Sequence, residues 1–196
     1  MKTTKLGLIA GCLSTLLIVS CQHDAKELPV PQKLQTENLA NRLLLPGEEK
    51  PYNIELIGPI AVSNGWQYTW KIQNINPGNG NNGTAQGLSH WGFSAPKNML
   101  GATCFNLSNV KSAAYSANGI NWTTFTPSLK VDPAGCLSTP VLKFDFGTNG
   151  NAYSYYRLVL NQQYPTGMTE GYFKSGKRTG CVIYSFPGIV CPLIGS

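Results

Sequence analysis

The chain has 196 residues, a formal net charge of +6 at pH 7 and only 12% charged residues, against ~25% in typical soluble domains. Its basic residues form no run, which excludes the dense positive surface of most nucleic-acid-binding proteins. Gly, Asn, Ser, Thr and Tyr replace the charged residues, and these types favour turns and strands over helices. The composition therefore predicts an all-β protein with no nucleic-acid partner.

Residues 1–20 have the organisation of a secretory signal peptide. Lys2 and Lys5 precede an apolar stretch, Leu6–Val19, and the small residue Ser20 follows it. The stretch is shorter than the ~20 apolar residues that a transmembrane helix needs. We therefore expect a cleaved signal peptide rather than a permanent membrane span.

The end of this segment, Ile18-Val19-Ser20-Cys21, resembles the lipobox of bacterial lipoproteins. The resemblance implies that the chain is cut before Cys21, that Cys21 carries acyl chains such as palmitate, and that these lipids hold the protein on a membrane. Gln22, rather than Asp, follows the cysteine, which by resemblance to enterobacterial lipoproteins favours the outer membrane of the cell envelope. The sequence leaves open whether the protein is exposed at the cell surface. The alternative to a lipobox is an ordinary signal peptide that happens to precede a cysteine.

Residues 21–50 are expected to form the lipidated N-terminus and a flexible tether. They contain Pro29, Pro31 and Pro46, most of the acidic residues and few aromatic ones. Without residues 1–20 the chain has 13 basic and 9 acidic side chains, a net charge of +4. The folded domain is predicted over residues 51–196, a length that suits a single hydrophobic core.

The clearest strand is Trp66–Gln73, where Trp66, Tyr68, Trp70 and Ile72 alternate with polar residues. Weaker patterns predict further strands at Ile54–Val62, Ser89–Ser94, Val110–Ala117, Ile120–Phe125, Val141–Phe146, Tyr153–Asn161, Gly171–Lys174 and Cys181–Phe186. Turns are predicted at Ser63-Asn64-Gly65, Asn118-Gly119 and Ser175-Gly176-Lys177-Arg178. Many short strands between turns indicate a single β-sandwich of about nine antiparallel strands, with a β-barrel as the alternative.

Four cysteines remain in the predicted domain: Cys104, Cys136, Cys181 and Cys191. An even number in an exported chain predicts two disulfides, and four cysteines allow three pairings. We favour Cys104–Cys136 and Cys181–Cys191, because both close short loops. A zinc site is disfavoured because no two cysteines have the C-x₂-C spacing; we expect no metal and no cofactor.

Catalytic residues are hard to find. The only histidines are His23, in the tether, and His90. Ser89 precedes His90 directly, and because adjacent strand residues point to opposite faces, we expect no nucleophile–base pair between them. The acids of the domain, Glu55, Asp132, Asp145 and Glu170, show no pairing signal. The sequence therefore predicts a protein that is not an enzyme, with a hydrolase as the less favoured alternative if His90 shares a pocket with an acid.

A binding role has more support in the sequence. Residues 74–84 form a loop rich in Asn and Gly, which includes Asn79, Asn81 and Asn82. Trp91 and Trp122 lie among Ser, His, Asn and Thr, so we expect exposed rings there, whereas Trp66 and Trp70 are expected in the core.

Exposed aromatic rings beside amide groups are suited to stacking on sugar rings. We therefore predict a weak carbohydrate-binding surface formed by Asn79, Asn81, Asn82, His90, Trp91 and Trp122. The alternative is a structural or assembly protein that binds another envelope protein. Leu88-Ser89-His90-Trp91, with Cys104 further on, resembles secreted domains of bacterial surface proteins, but this local resemblance implies no activity.

Overall fold

The structure, a computed structural model, describes residues 42–44, 49–133 and 136–193. The predicted signal peptide, Cys21 and most of the predicted tether lie outside the described residues. Within them, the strands are β1 Arg42–Leu43, β2 Tyr52–Val62, β3 Gly65–Asn74, β4 Leu88–Ser94, β5 Val110–Ser116, β6 Thr123–Phe125, β7 Leu129–Val131, β8 Pro140–Phe144, β9 Tyr153–Leu160, β10 Thr166–Ser175 and β11 Cys181–Ile189. One short 3₁₀ turn, Leu107–Asn109, precedes β5.

The strands form two separate sheets. The larger sheet has the order β1-β11-β10-β4-β8-β7, and the smaller sheet has the order β2-β3-β9-β5-β6. Neighbouring strands are antiparallel except β1, which runs parallel to β11. The predicted all-β sandwich is confirmed, and the sheets do not close into the barrel that was its alternative.

The core fills the space between the two sheets with large aromatic rings. Tyr68, Trp70 and Ile72 of β3 are fully buried, as their alternation with polar residues predicted. Trp70 packs its ring 5.8 Å from that of Trp91 on the opposite sheet, so the two layers meet through aromatic contacts. Burial of such large rings is the main stabilising contribution in a sandwich of this size.

Each predicted turn joins two paired strands. Ser63 and Asn64 connect β2 to β3, where Val62 pairs with Gly65. Asn118-Gly119 lies between the paired strands β5 and β6, and Gly119 has φ +75°, a conformation that glycine adopts without a steric penalty. Residues 176–180 connect β10 to β11. These predictions succeed because a tight turn depends on its own few residues.

The sandwich has two strands that the sequence pattern did not indicate. β7 has only three residues, and β1 has two. In β1, Leu43 pairs with Ile183, and the backbone N–H of Leu44 donates to the Ile183 carbonyl over 2.9 Å. Three residues of the predicted tether therefore extend the larger sheet.

The disulfide pairing predicted from short loops is wrong. Cys104 is bonded to Cys191 across a separation of 87 residues, and Cys136 is bonded to Cys181 across 45. The pairing follows position in the fold, because the order of the strands brings distant cysteines together. All four cysteines are in disulfides, as expected.

None of the helices among the described residues is both long enough and apolar enough to span a membrane.

Candidate ligand-binding face

The asparagine-rich loop after β3 is held by its own hydrogen bonds. Asn74, fully buried, donates from Nδ2 to the carbonyl of Ala85 over 2.9 Å and accepts on Oδ1 from the backbone N–H of Asn76. Near the tip, the hydroxyl of Thr84 donates to the carbonyl of Asn81 over 2.7 Å. The loop is therefore a defined element with its base in the core.

The three asparagines predicted to bind ligand lie at the exposed tip of this loop. Asn79 accepts on Oδ1 from the backbone N–H of Asn81 over 3.0 Å, so one amide group is used within the loop. Asn82 has φ +50°, a left-handed conformation that asparagine tolerates better than most residues. The tip thus presents amide groups, but no aromatic ring adjoins them within residues 76–84.

Two adjoining surface pockets of about 400 and 640 Å³ lie beside the asparagine-rich loop. Both are lined by Glu49, Lys50, Ile75 and Asn76. The ammonium of Lys50 donates to the Ser185 carbonyl over 2.9 Å, so it already has a partner on β11. The aromatic side chains in their lining, Tyr52, Tyr184 and Phe186, are buried, so these pockets offer a sugar ring no exposed aromatic surface.

Trp91 is not an exposed binding residue. Its side chain is fully buried, and its ring lies 4.6 Å from that of Phe144 in a stacked arrangement. The expectation of exposure is wrong because Trp91 and Phe93 share the inward face of β4. The rings that surround Trp91 belong to Trp70, Phe93, Phe144, Tyr156, Phe173 and Phe186.

His90 lies on the outer side of the larger sheet, next to an irregularity in β4. His90 pairs with Lys174, but Leu88 pairs with Ser175, so Ser89 is an extra residue between two consecutive partners. This bulge places the Ser89 hydroxyl 3.3 Å from Nδ1 of His90. The expectation that adjacent residues point apart is therefore wrong at this position.

A buried carboxylate faces His90 from the loop that follows β7. Asp132 Oδ2 lies 3.6 Å from His90 Nε2, and Asp132 Oδ1 lies 3.3 Å from Lys143 Nζ. The ammonium of Lys143 also pairs with Asp145 over 2.7 Å. The Asp132 side chain is 0% exposed, whereas that of Asp145 is 65% exposed. Lys143 therefore joins one buried and one exposed carboxylate.

A small apolar cluster lies on the outer side of the larger sheet, near Asp132. Cys136 and Cys181 pack there with Val141 and Tyr172. A Cβ on Gly92 would lie 2.8 Å from the Tyr172 ring, so the glycine leaves room for that ring to lie over the strand. The disulfide at one point and Asp132 at another attach the loop to the sheet.

Burial and charge set the protonation of this cluster. Burial lowers the pKa of His90, and the Lys143 ammonium lowers it further, against an opposing effect of Asp132 and Asp145. For Lys143 burial opposes the charged form, but both carboxylates favour it and leave its pKa raised. His90 is thus neutral near pH 7. Its Nε2 lies beyond hydrogen-bond distance of Asp132, so the described residues include no hydrogen-bonded Ser–His–Asp relay here.

The outer side of the smaller sheet carries a second group of aromatic side chains. In β9, Tyr156 and Leu158 point into the core, so Tyr153, Tyr155 and Arg157 point outward. The rings of Tyr153 and Tyr155 have centroids 6.4 Å apart. We call the surface formed by Tyr153, Tyr155, Arg157, Lys71 and Trp122 the aromatic face.

Cations lie over the rings of the aromatic face. The guanidinium of Arg157 lies 4.1 Å from the centroid of the Trp122 ring, and Lys71 Nζ lies 4.2 Å from the centroid of Tyr153. Lys71 also pairs with Glu55 on β2 over 3.5 Å. Such cation–π contacts fix the orientation of exposed rings. Trp122, for which the sequence predicts an exposed ring, is half-buried, with the guanidinium of Arg157 over it.

The structure does not assemble the predicted surface in one place. Trp122 belongs to the outer side of the smaller sheet, His90 to the outer side of the larger sheet, and Trp91 to the core between them. The sequence did not single out Tyr153, Tyr155 and Arg157. The sequence did contain a signal, because Leu158 and Leu160 mark inward positions of β9, and the alternation then places Tyr153, Tyr155 and Arg157 on the outer side.

No protein-family model matches the chain, and no curated protein matches it at a significant level. The geometry of the chain's own residues is therefore the basis for a functional proposal.

Proposed function

We propose that the chain is a lipid-anchored lipoprotein of the bacterial cell envelope whose β domain acts as a binding module. Carbohydrate is the candidate ligand, and the aromatic face is the candidate site. The observation that carries this proposal is the group of Trp122, Tyr153 and Tyr155 beside two cations on one side of one sheet.

Sugar binding suits such a surface for a physical reason. The flat C–H face of a pyranose packs on an aromatic ring, and its hydroxyls need hydrogen-bonding groups at the ring edge. Tyr153 is 41% exposed and offers both a ring and a hydroxyl, while Gln73 of the neighbouring strand is its paired residue. The cation–π contacts hold the rings before any ligand arrives, which lowers the entropy cost of binding.

The anchor is proposed at Cys21, from the lipobox-like Ile18-Val19-Ser20-Cys21. One acyl chain binds a membrane only reversibly, so stable anchoring requires at least two, as lipoprotein modification would supply. In cells fed labelled palmitate, the wild-type chain should take up the label and Cys21→Ser should not. Labelling of Cys21→Ser would contradict the lipid anchor.

The binding role is tested with a panel of glycans and peptidoglycan fragments against the full-length protein in detergent. Tryptophan fluorescence is the readout. We expect a saturable shift with at least one ligand, and a loss of at least tenfold in affinity in Trp122→Ala. Met168→Ala is the matched control, because Met168 is 59% exposed on β10 of the other sheet. Equal losses in both variants would contradict a site at the aromatic face.

The alternative, an assembly protein that binds another envelope protein, is favoured by one observation. β2 is an edge strand, and its Ile57 and Ile60 are 39% and 46% exposed. An exposed apolar edge is suited to pairing with another chain. Co-purification of a stoichiometric partner with the wild type, but not with Ile57→Lys, would favour this function over glycan binding.

A further inference from the structure

Arg157 is a half-buried cation without an acidic partner among the described residues. Lys71, the other cation of the aromatic face, pairs with Glu55, and Lys143 pairs with two carboxylates. Within residues 49–133 and 136–193, Arg157 makes a ring contact with Trp122 but no ion pair. A guanidinium stays charged at any physiological pH and presents five N–H donors.

The residues beside Arg157 on the two adjacent strands are small and buried. On the adjacent strands its paired residues are Thr69 and Ala114, which are 7% and 2% exposed although they point outward. Side chains this small leave room for Arg157 and Trp122 to lie over them. The guanidinium carbon lies 4.1 Å from the centroid of the indole ring, and among the described residues no side-chain hydrogen bond occupies the guanidinium N–H groups.

The ligand that fits this arrangement is planar, anionic and able to accept two parallel hydrogen bonds. A carboxylate has this geometry, and arginine binds carboxylates in a bidentate manner. Tyr155 lies two positions before Arg157 on the same side of β9. The Gly119 turn packs against its ring, since a Cβ on Gly119 would come 3.4 Å from it. A sugar ring that stacks on the aromatic face could therefore place its own carboxylate at Arg157.

We propose that the aromatic face selects carboxylated glycans, with Arg157 as the residue that binds the carboxylate. This inference rests on the proposed carbohydrate-binding function and names its ligand class. The charge of the domain agrees with an anionic ligand: from residue 49 onward the chain has ten basic and five acidic side chains, a net charge of +5. One of those acids, Asp132, is buried away from the surface.

The test compares each carboxylated glycan with its own methyl ester on the full-length protein in detergent. The panel contains uronic-acid oligosaccharides, sialylated oligosaccharides and muropeptides, so that a sugar carboxylate and a peptide carboxylate are separate arms. We expect the free acids to bind at least tenfold more tightly than their esters, with weaker binding at higher salt. Binding of muropeptides alone would assign the carboxylate to the peptide and overturn a sugar acid as the ligand.

Two variants of Arg157 and one control variant locate the carboxylate preference. Arg157→Gln should lose the preference for the acid over the ester while still binding the ester, and Arg157→Lys should keep only part of it because lysine lacks the planar fork. Arg178→Gln, which removes the same charge from the exposed β10–β11 turn, should change nothing. Thermal unfolding of each variant checks that it is folded.

The outcomes distinguish the inference from the function on which it rests. Equal binding of acids and esters, or an unchanged preference in Arg157→Gln, would overturn the carboxylate specificity and leave carbohydrate binding standing. If no glycan in the panel binds, both the carboxylate specificity and the carbohydrate-binding function are overturned.

Discussion

The carboxylate of Asp132, directly after β7, and the ammonium of Lys143, on β8, lie 3.3 Å apart. Asp132 has no exposed side-chain surface, so this pair is shielded from solvent screening. Asp145 offers the same lysine a second, exposed carboxylate. Lys143 therefore has one buried partner, Asp132, and one exposed partner, Asp145, whose contributions to stability can be compared directly.

Asp132→Asn should therefore destabilise the fold much more than Asp145→Asn. Removing the buried charge leaves Lys143 and His90 without their inner partner, which we expect to cost about 1–3 kcal/mol of unfolding free energy. Loss of the exposed partner should cost about 0–1 kcal/mol. Urea denaturation of both variants measures the difference. Equal values would mean that Asp132 contributes no more than a surface ion pair.

The stability of the domain should fall as the pH drops below the ordinary histidine pKa. Burial and Lys143 lower the pKa of His90 in the folded state, so the folded state binds the proton more weakly than the unfolded state, whose pKa is about 6.5. The contribution of neutral His90 is complete above that pH and is lost as the pH falls from about 6.5 towards the lower folded-state pKa.

His90→Gln should flatten the dependence of unfolding free energy on pH in this interval. The direct check is an NMR titration of the His23→Gln variant, in which His90 is the remaining histidine. Asp132, Lys143 and Asp145 are the charged groups that act on His90. A His90 pKa at or above 6.5 would show that the two carboxylates outweigh burial and Lys143.

Peptide mapping should show which cysteines are paired, and unfolding measurements should give the contribution of each disulfide to stability. Proteolysis without reduction should yield peptides linked as Cys104–Cys191 and Cys136–Cys181, with no free thiol among the four. From the loop lengths, the chain-entropy model gives about 4–5 kcal/mol for the first disulfide and about 4 kcal/mol for the second. Paired Cys→Ser variants measure both values. Recovery of a Cys104–Cys136 peptide would contradict the fold in this region.

Truncation of Trp91 should destabilise the fold much more than truncation of Trp122. Trp91→Ala removes the ring at the centre of the core and should cost about 3–5 kcal/mol. Trp122→Ala removes a half-buried ring held by one cation–π contact and should cost about 1 kcal/mol. Guanidinium denaturation gives both numbers. A Trp91→Ala protein of wild-type stability would be incompatible with a buried Trp91.

Several parts of the fold could be predicted because they depend on short stretches of chain. The alternation in Trp66–Gln73 indicates the buried face of β3, since side chains of a strand alternate between its two sides. Asn118-Gly119 predicts a turn because Gly119 adopts a positive φ that few other residues tolerate. The lipobox resemblance of Ile18-Val19-Ser20-Cys21 is equally local, and its prediction of lipidation remains to be tested.

The candidate site could not be assembled from the sequence in the same way. Trp91 has polar neighbours in sequence, yet Phe93 two positions on shows which side of β4 is buried. Ser89 approaches His90 only because β10 pairs with β4 through a bulge. Trp122 meets Arg157 across a separation of 35 residues, through the pairing of β5 with β9.

Local patterns along the chain were enough to predict the all-β class, most of the strands, the turns, the core of β3 and the number of disulfides. The bonded cysteine pairs, the burial of Trp91 and the side chains of the aromatic face become known from the folded chain alone. This difference arises because strand pairing is non-local. A strand's own residues fix the alternation of its side chains, but its neighbours in the sheet, distant in sequence, decide what each side chain contacts.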